Sequence, residues 1–235
     1  MKVLEEELSV KAVKAKQEYL LKLGAAAKAR LSRSLLLVGM AGLVGSGKST
    51  VAVYLAKLIG ATIVSGDAIR VELRKQGEAY KYVRPIAANV ISELFDHNTN
   101  VIMDADWADD KRNQIGQLRA LVEGRRGKLI ILRVVCDPDV MIGRIITASY
   151  RNRQNDFFGG AKTNWQGGTE QERGAQIKLR ELWRRTPHHY HWSPEGGGQW
   201  QLKAMPFAIF ANINTDNEEI WRLQLEETAE KLRRI

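Results

Sequence analysis

A three-layer α/β/α sandwich around a mostly parallel sheet is the fold class this sequence predicts, and three observations predict it. From residue 35 onward, short apolar runs alternate with longer amphipathic stretches, the rhythm of repeated strand–helix units. Several of the short runs are continuously apolar, as strands covered on both faces must be. Between the first run and the first long stretch lies Gly42-Leu43-Val44-Gly45-Ser46-Gly47-Lys48-Ser49, followed by Thr50. That octapeptide fits G-x-x-x-x-G-K-[ST] in the strand–loop–helix setting the motif needs.

The elements follow in order. Over residues 2–23, Leu4, Leu8, Ala12, Ala15, Tyr19 and Leu23 fall at helical spacing with charges between them. This predicts an N-terminal helical extension over 1–33 that packs on the core or binds a protein partner; 25–30 can continue it past Gly24. The remainder, 34–235, reads as one P-loop nucleotide-hydrolase-type (P-loop NTPase) domain. Strands are expected at 35–39, 61–64, 100–104, 128–135 and 207–213, and helices at 48–59, 67–76, 84–96, 109–123, 138–150 and 217–233. Residues 151–206 break the rhythm, with Gly159-Gly160, Gly167-Gly168 and Gly196-Gly197-Gly198. A helix at 169–185 is expected inside this stretch, which has the length of a functional lid or insertion.

The octapeptide carries a specific chemistry. Gly42, Gly45 and Gly47 let the backbone turn and approach a ligand closely. Successive N–H groups, Ser46 among them, then face one concavity and receive phosphate oxygens, helped by the positive end of the helix that opens at Lys48. Lys48 supplies charge to the terminal phosphates. Ser49 is the expected Mg²⁺ ligand, and Thr50 completes the nucleotide site. ATP and Mg²⁺ are therefore the expected ligand and cofactor.

Ligands bind beyond the carboxyl ends of the strands of an open parallel sheet. Strand two ends at Ser65-Gly66-Asp67-Ala68-Ile69-Arg70. Asp67 there could take the proton of an attacking hydroxyl, and Arg70, one turn on, could hold an anionic substrate. The plainer reading is that Asp67 caps the following helix and pairs with Arg70. Strand three ends at Asp104-Ala105-Asp106. Asp104 is the expected acid of the Mg²⁺ shell, with Asp106 as its competitor, since alternation puts both on one side; Asp109 and Asp110 suit a helix start. Arg144, then Arg151 and Arg153, are candidates for neutralising the transferring phosphoryl group, against the alternative of a solvated basic face.

His188-His189-Tyr190-His191 does not match common zinc spacings. Trp165, Trp183, Trp192 and Trp200 can form a small lid core or stack on a base.

Composition bounds the partners. The chain has 235 residues and a net charge of +9. Residues 1–33 carry 8 basic and 4 acidic side chains, residues 141–206 carry 10 and 5, and the rest balances. Such a spread suits an anionic acceptor or partner, nucleic acid included, as well as plain solubility. The single cysteine, Cys136, excludes an internal disulfide and points to a reducing, cytoplasmic setting. No stretch has the length and apolarity of a membrane span. Asn-Lys-x-Asp and Leu-Ser-Gly-Gly, which read a guanine base and mark transporter ATPases, are absent.

Gly42 to Thr50, Ser65 to Arg70, Val101-Ile102-Met103-Asp104-Ala105 and Val135-Cys136-Asp137-Pro138 together make the chain similar to the AAA-domain-containing P-loop kinases. These include the kinase domain of phage-type polynucleotide kinase and, more distantly, zeta-toxin and gluconate-kinase branches. The resemblance covers about residues 35–150, with 207–233 fitting less specifically. It implies ATP-dependent phosphorylation of a hydroxyl, on a nucleic-acid 5′ end or on a small sugar or nucleotide. It implies that Asp67 engages the acceptor hydroxyl, that Arg70 binds the substrate, that Arg144 is a lid arginine, and that Asn214-Thr215-Asp216 lies against the base. Asp106-Trp107 stands where those kinases often carry Thr or Asn, and the 151–206 insertion has no counterpart. The alternatives are a nucleotide-dependent switch or NTPase that binds a partner, and a nucleic-acid-binding module.

Overall fold

The structure, a computed structural model, describes residues 7–24, 30–106, 113–151 and 170–235. Asp109, Asp110, Arg153 and Trp165 lie outside the described residues, as does the Arg151 side chain.

The chain folds as α1 (Val10–Gly24), β1 (Leu36–Ala41), α2 (Lys48–Ile59), β2 (Ala61–Ser65), α3 (Gly66–Lys75), α4 (Val83–Asp96), β3 (Asn100–Asp104), α5 (Gln114–Glu123), β4 (Lys128–Val135) and α6 (Pro138–Arg151). After the undescribed segment come α7 (Glu170–His189), β5 (Tyr190–Ser193), β6 (Gln199–Leu202), β7 (Ala211–Asn214) and α8 (Glu218–Arg234). Five strands form one sheet in the order β2-β3-β1-β4-β7, with every neighbouring pair parallel. This is the expected α/β architecture.

The alternation of β1 explains the layers. Leu36, Val38 and Met40 point into one core with Val51, Leu55 and Ile59 of α2 and Trp221, Leu225 and Leu232 of α8. Leu37 and Ala41 point into the other, with Ile69 and Leu73 of α3 and Ile86, Val90 and Ile91 of α4. β1 is buried along its whole length, so no position on it is free to be polar. Asn100, fully buried, staples the sheet's lower edge: its Oδ1 accepts the Leu36 N–H at 3.0 Å and its Nδ2 donates to Ile59 O at 2.9 Å.

The N-terminal helix joins this core. Ala12, Ala15 and Tyr19 are buried in the α3/α4 layer. Lys16 pairs with Glu93 at 2.7 Å, and Lys22 pairs with Glu72. The Tyr19 hydroxyl accepts the Ser65 N–H at 2.8 Å, which ties α1 to the mouth of β2.

Three elements depart from expectation. The last strand is Ala211–Asn214, not 207–213. Pro206 has no N–H to give; Phe207 and Ile209 pack on the core without a ladder, and bonding begins where Phe210 N–H reaches Ile131 O at 2.8 Å. The helix expected over 169–185 runs from Glu170 to His189. Within the insertion, β5 and β6 form an antiparallel hairpin around Pro194–Gly198. Its Trp192 and Trp200 face each other edge to face at 5.2 Å, a cross-strand aromatic pair of the kind that stabilises hairpins.

Candidate active site

Strand order places the ends of β1, β2 and β3 side by side. Ser65 is in register with Asp104, and Asp104 with Met40. The loop Gly42–Gly47 leaves β1 there and closes on the first turn of α2.

Two glycines are required by geometry. At Gly42, with φ of 154°, an added Cβ would stand 2.5 Å from Val134 O. At Gly45, with φ of 84°, it would stand 2.9 Å from Met141 O. The second contact shows α6 lying directly on the loop. Leu43 buries itself with Cys136, Met141, Ile145, Leu182 and Tyr190, so the loop shares a small core with α6, α7 and β5. From behind, the Thr215 hydroxyl donates to Ser46 O at 2.7 Å.

The loop fits a phosphate group. The Ser46 hydroxyl is buried without a hydrogen-bond partner among the described residues, an unmet polar atom that needs one. The N-cap of α2 is Gly47, which offers no side-chain cap, so the amides of the first turn lack a side-chain acceptor there. Lys48 Nζ donates to Leu43 O at 2.9 Å and lies across the loop. Burial pulls its pKa below the usual lysine value. Asp104, Asp106 and Asp67 push it back, and Arg185 adds to the downward pull.

Two oxygens that could hold a divalent cation also lie together. Ser49 Oγ donates to Asp104 Oδ2 at 2.7 Å. A hydroxyl and a carboxylate at this separation are hard oxygen ligands of the type Mg²⁺ takes.

Asp106 goes elsewhere. It lies beyond the end of β3, where strand alternation no longer governs it, and its carboxylate receives His189 Nε2 at 3.0 Å, Arg185 Nη1 at 3.2 Å and the Gly42 N–H at 3.4 Å. Burial raises its pKa, but the hydrogen bond and charge of His189, with Lys48 and Arg185, outweigh this and hold it far below the carboxylate range.

At the acceptor side, the cap of α3 is Ser65, whose side chain accepts the Ala68 N–H, not Asp67. Asp67 pairs instead with Arg70 at 2.8 Å, the two side chains 52% and 35% exposed. Both stand open at the mouth.

Arg144 is seated on Thr215, the residue that bonds the loop at Ser46 O: it donates to Cys136 Sγ at 3.2 Å, to Thr215 Oγ1 at 3.0 Å and to Thr215 O at 2.5 Å. Burial pushes the Cys136 thiol up to about 12, so it is no nucleophile.

Three features escaped the sequence. They are the Asp106–His189–Arg185 cluster, the seat of Arg144 on Thr215, and Arg133. The last is buried on β4 and donates to His189 O at 2.7 Å and to Lys203 O at 2.8 Å. The histidine run held one signal, His189 at the start of a hairpin, but its partner lies 83 residues away.

A glycine loop on an α2 N-terminus, a lysine across it and a Ser–Asp pair beside it define a P-loop domain, a class built to bind nucleotides. The chain belongs to the AAA domain family, which matches residues 37–161. No curated protein matches it by sequence. Among solved structures, a candidate kinase from Chloroflexus aurantiacus J-10-fl superposes with a TM-score of 0.51 at 16% identity, covering 85% of this chain and 96% of that one. The Streptococcus pneumoniae PezAT toxin–antitoxin system gives a TM-score of 0.49 at 15% identity, over 66% and 70% of the chains. A gluconokinase from Sinorhizobium meliloti 1021 gives 0.43 at 18% identity, over 87% and 97%. The first of these shows the fold.

Proposed function

We propose that this protein is an ATP-dependent phosphotransferase that moves the γ-phosphoryl group of ATP to a hydroxyl acceptor. The observation that carries the reading is Asp67. It is an exposed carboxylate just past the end of β2, paired with Arg70, at the sheet end where Ser65 lies in register with Asp104. A site built only to hydrolyse or sense a nucleotide has no need of a second, exposed acid beside the first.

Ser46, Gly47, Lys48 and the first-turn amides of α2 hold the phosphates. Ser49 and Asp104 would hold Mg²⁺, which would neutralise charge on the phosphates. Asp67 accepts the acceptor's proton as its oxygen attacks the γ-phosphorus. The new O–P bond forms, the β–γ bridging bond breaks, and ADP leaves. Arg70, beside Asp67, orients an anionic acceptor, with Arg151 and Arg153 as further substrate-binding candidates. Arg144, bonded to Thr215 behind the loop, neutralises the charge of the transferring phosphoryl group. The acceptor is a nucleic-acid 5′-hydroxyl or a small sugar or nucleotide.

The test is γ-labelled ATP offered with Mg²⁺ to a panel of DNA, RNA, nucleosides and sugars. Label should appear in one acceptor class. ATP hydrolysis with no labelled acceptor would replace this reading with an NTPase or switch.

A further inference from the structure

We propose that Asp106 is a positioning residue that ties the phosphate loop to α7 and thereby sets Arg185 beside Lys48, as a second cation for the terminal phosphates of the nucleotide. The proposal rests on the nucleotide-binding half of the phosphotransferase reading.

Asp106 is not an ordinary surface partner. Its side chain is 9% exposed and takes donors from three places: His189 and Arg185 on α7, and Gly42 at the start of the loop. His189 is buried at 1% exposure. Its main-chain oxygen is independently clamped, by Arg133 at 2.7 Å and by the Lys203 N–H at 2.9 Å. The end of α7 is thus fastened through both its backbone and its side chain.

Arg185 lies one helical turn before His189, on the same face. Glu181, one turn earlier again, holds its Nε at 3.3 Å. Two carboxylates therefore fix the guanidinium, while its side chain stays 38% exposed. His189 and the Arg133 clamp fasten the helix end through contacts separate from those of Arg185. Gly42, whose N–H bonds Asp106, lies against the Lys48 side chain, since a Cβ added there would stand 3.3 Å from Lys48 Cγ; Lys48 and Arg185 therefore flank one carboxylate, and each disfavours the other's charge. A phosphate oxyanion beside them relieves that repulsion, and a planar guanidinium suits the terminal phosphate in a way a point charge does not.

The test is calorimetric titration of the full chain with Mg·ATP and with Mg·ADP. Wild type is compared with Arg185→Ala, Arg185→Lys, Asp106→Asn and the Asp106→Asn/Arg185→Ala double variant. Loss of one charge-assisted contact predicts that Arg185→Ala weakens ATP binding about tenfold or more and ADP binding by less than about twofold, because only ATP reaches it. Arg185→Lys recovers part of the loss. Asp106→Asn shows the same ATP-selective loss, and the double variant is no worse than the weaker single one.

A merely structural role for Asp106 lowers the melting temperature and leaves the ATP-to-ADP ratio unchanged, which overturns the proposal. So does an Arg185→Ala protein that binds both nucleotides as wild type does. If Asp106→Asn does not fold, the two Arg185 variants decide alone. A wild-type protein that binds neither nucleotide overturns the phosphotransferase reading itself.

Discussion

At the scale of single residues, three acids with the same side chain have three different surroundings. Asp104 faces a hydroxyl, Asp106 faces an imidazole and a guanidinium, and Asp67 lies exposed against Arg70. The roles are separable by substitution. Asp67→Asn keeps the size and the Arg70 contact but cannot take a proton, so transfer falls by about 10²–10⁴-fold while ATP affinity stays near wild type. Equal transfer by this variant would remove Asp67 from the chemistry. Ser49→Ala and Asp104→Asn should each raise the Mg²⁺ concentration for half-maximal turnover by at least about tenfold, the loss expected even when a mere supporting partner of a ligand is removed. A magnesium titration of initial rates reads it, and unchanged curves would move the cation elsewhere. The sequence made the loop, Asp67 and Asp104 legible because each sits at a fixed offset from a strand end. It did not reveal which partner Asp106 takes, because Arg185 and His189 reach it across 79 and 83 residues and no local spacing encodes such a contact.

At the scale of elements, α1 is the clearest case of a helix whose face was legible and whose destination was not. The spacing of Ala12, Ala15 and Tyr19 gave the buried stripe; only the structure places it on α3 and α4. Its polar tie to the site is the Tyr19 hydroxyl on Ser65 N–H. Tyr19→Phe leaves that buried amide without an acceptor, so stability should fall by about 1–3 kcal/mol, read as an earlier chemical-denaturation midpoint with unchanged slope. No change would make the bond incidental.

Glu72 of α3 gives a pH test of the same contact. Burial raises its pKa, but hydrogen bonds from Lys22 and Lys75 lower it below the usual value. A carboxylate depressed on folding stabilises at pH above its unfolded value and loses that contribution as pH falls through the folded one. Melting temperature should therefore drop more steeply below about pH 4.5 in wild type than in Glu72→Gln; parallel curves would contradict it. The β5–β6 hairpin stayed hidden because glycines and aromatics in a basic stretch fit a loop as well as a turn between two short strands. β7 starts late because Phe207 and Ile209 pack on the core ahead of the ladder, so the apolar run there marked packing and not a strand.

At the scale of the whole molecule, the positive charge lies outside the nucleotide-binding layers, in the N-terminal segment and in the 141–206 region that supplies α7. The sheet order brings the strand ends together, and α6 and α7 close over the loop through the core around Leu43. Among the described residues no helix is long and apolar enough to cross a membrane. All these arrangements converge on one seat for a triphosphate. Titrating the protein with ATP in the presence of Mg²⁺ in a calorimeter tests it directly. Saturable one-to-one binding is expected, weakened at least about tenfold in Lys48→Ala, which loses a charge-assisted contact to phosphate. No heat at millimolar ATP, or equal binding by the Lys48→Ala protein, would contradict the account.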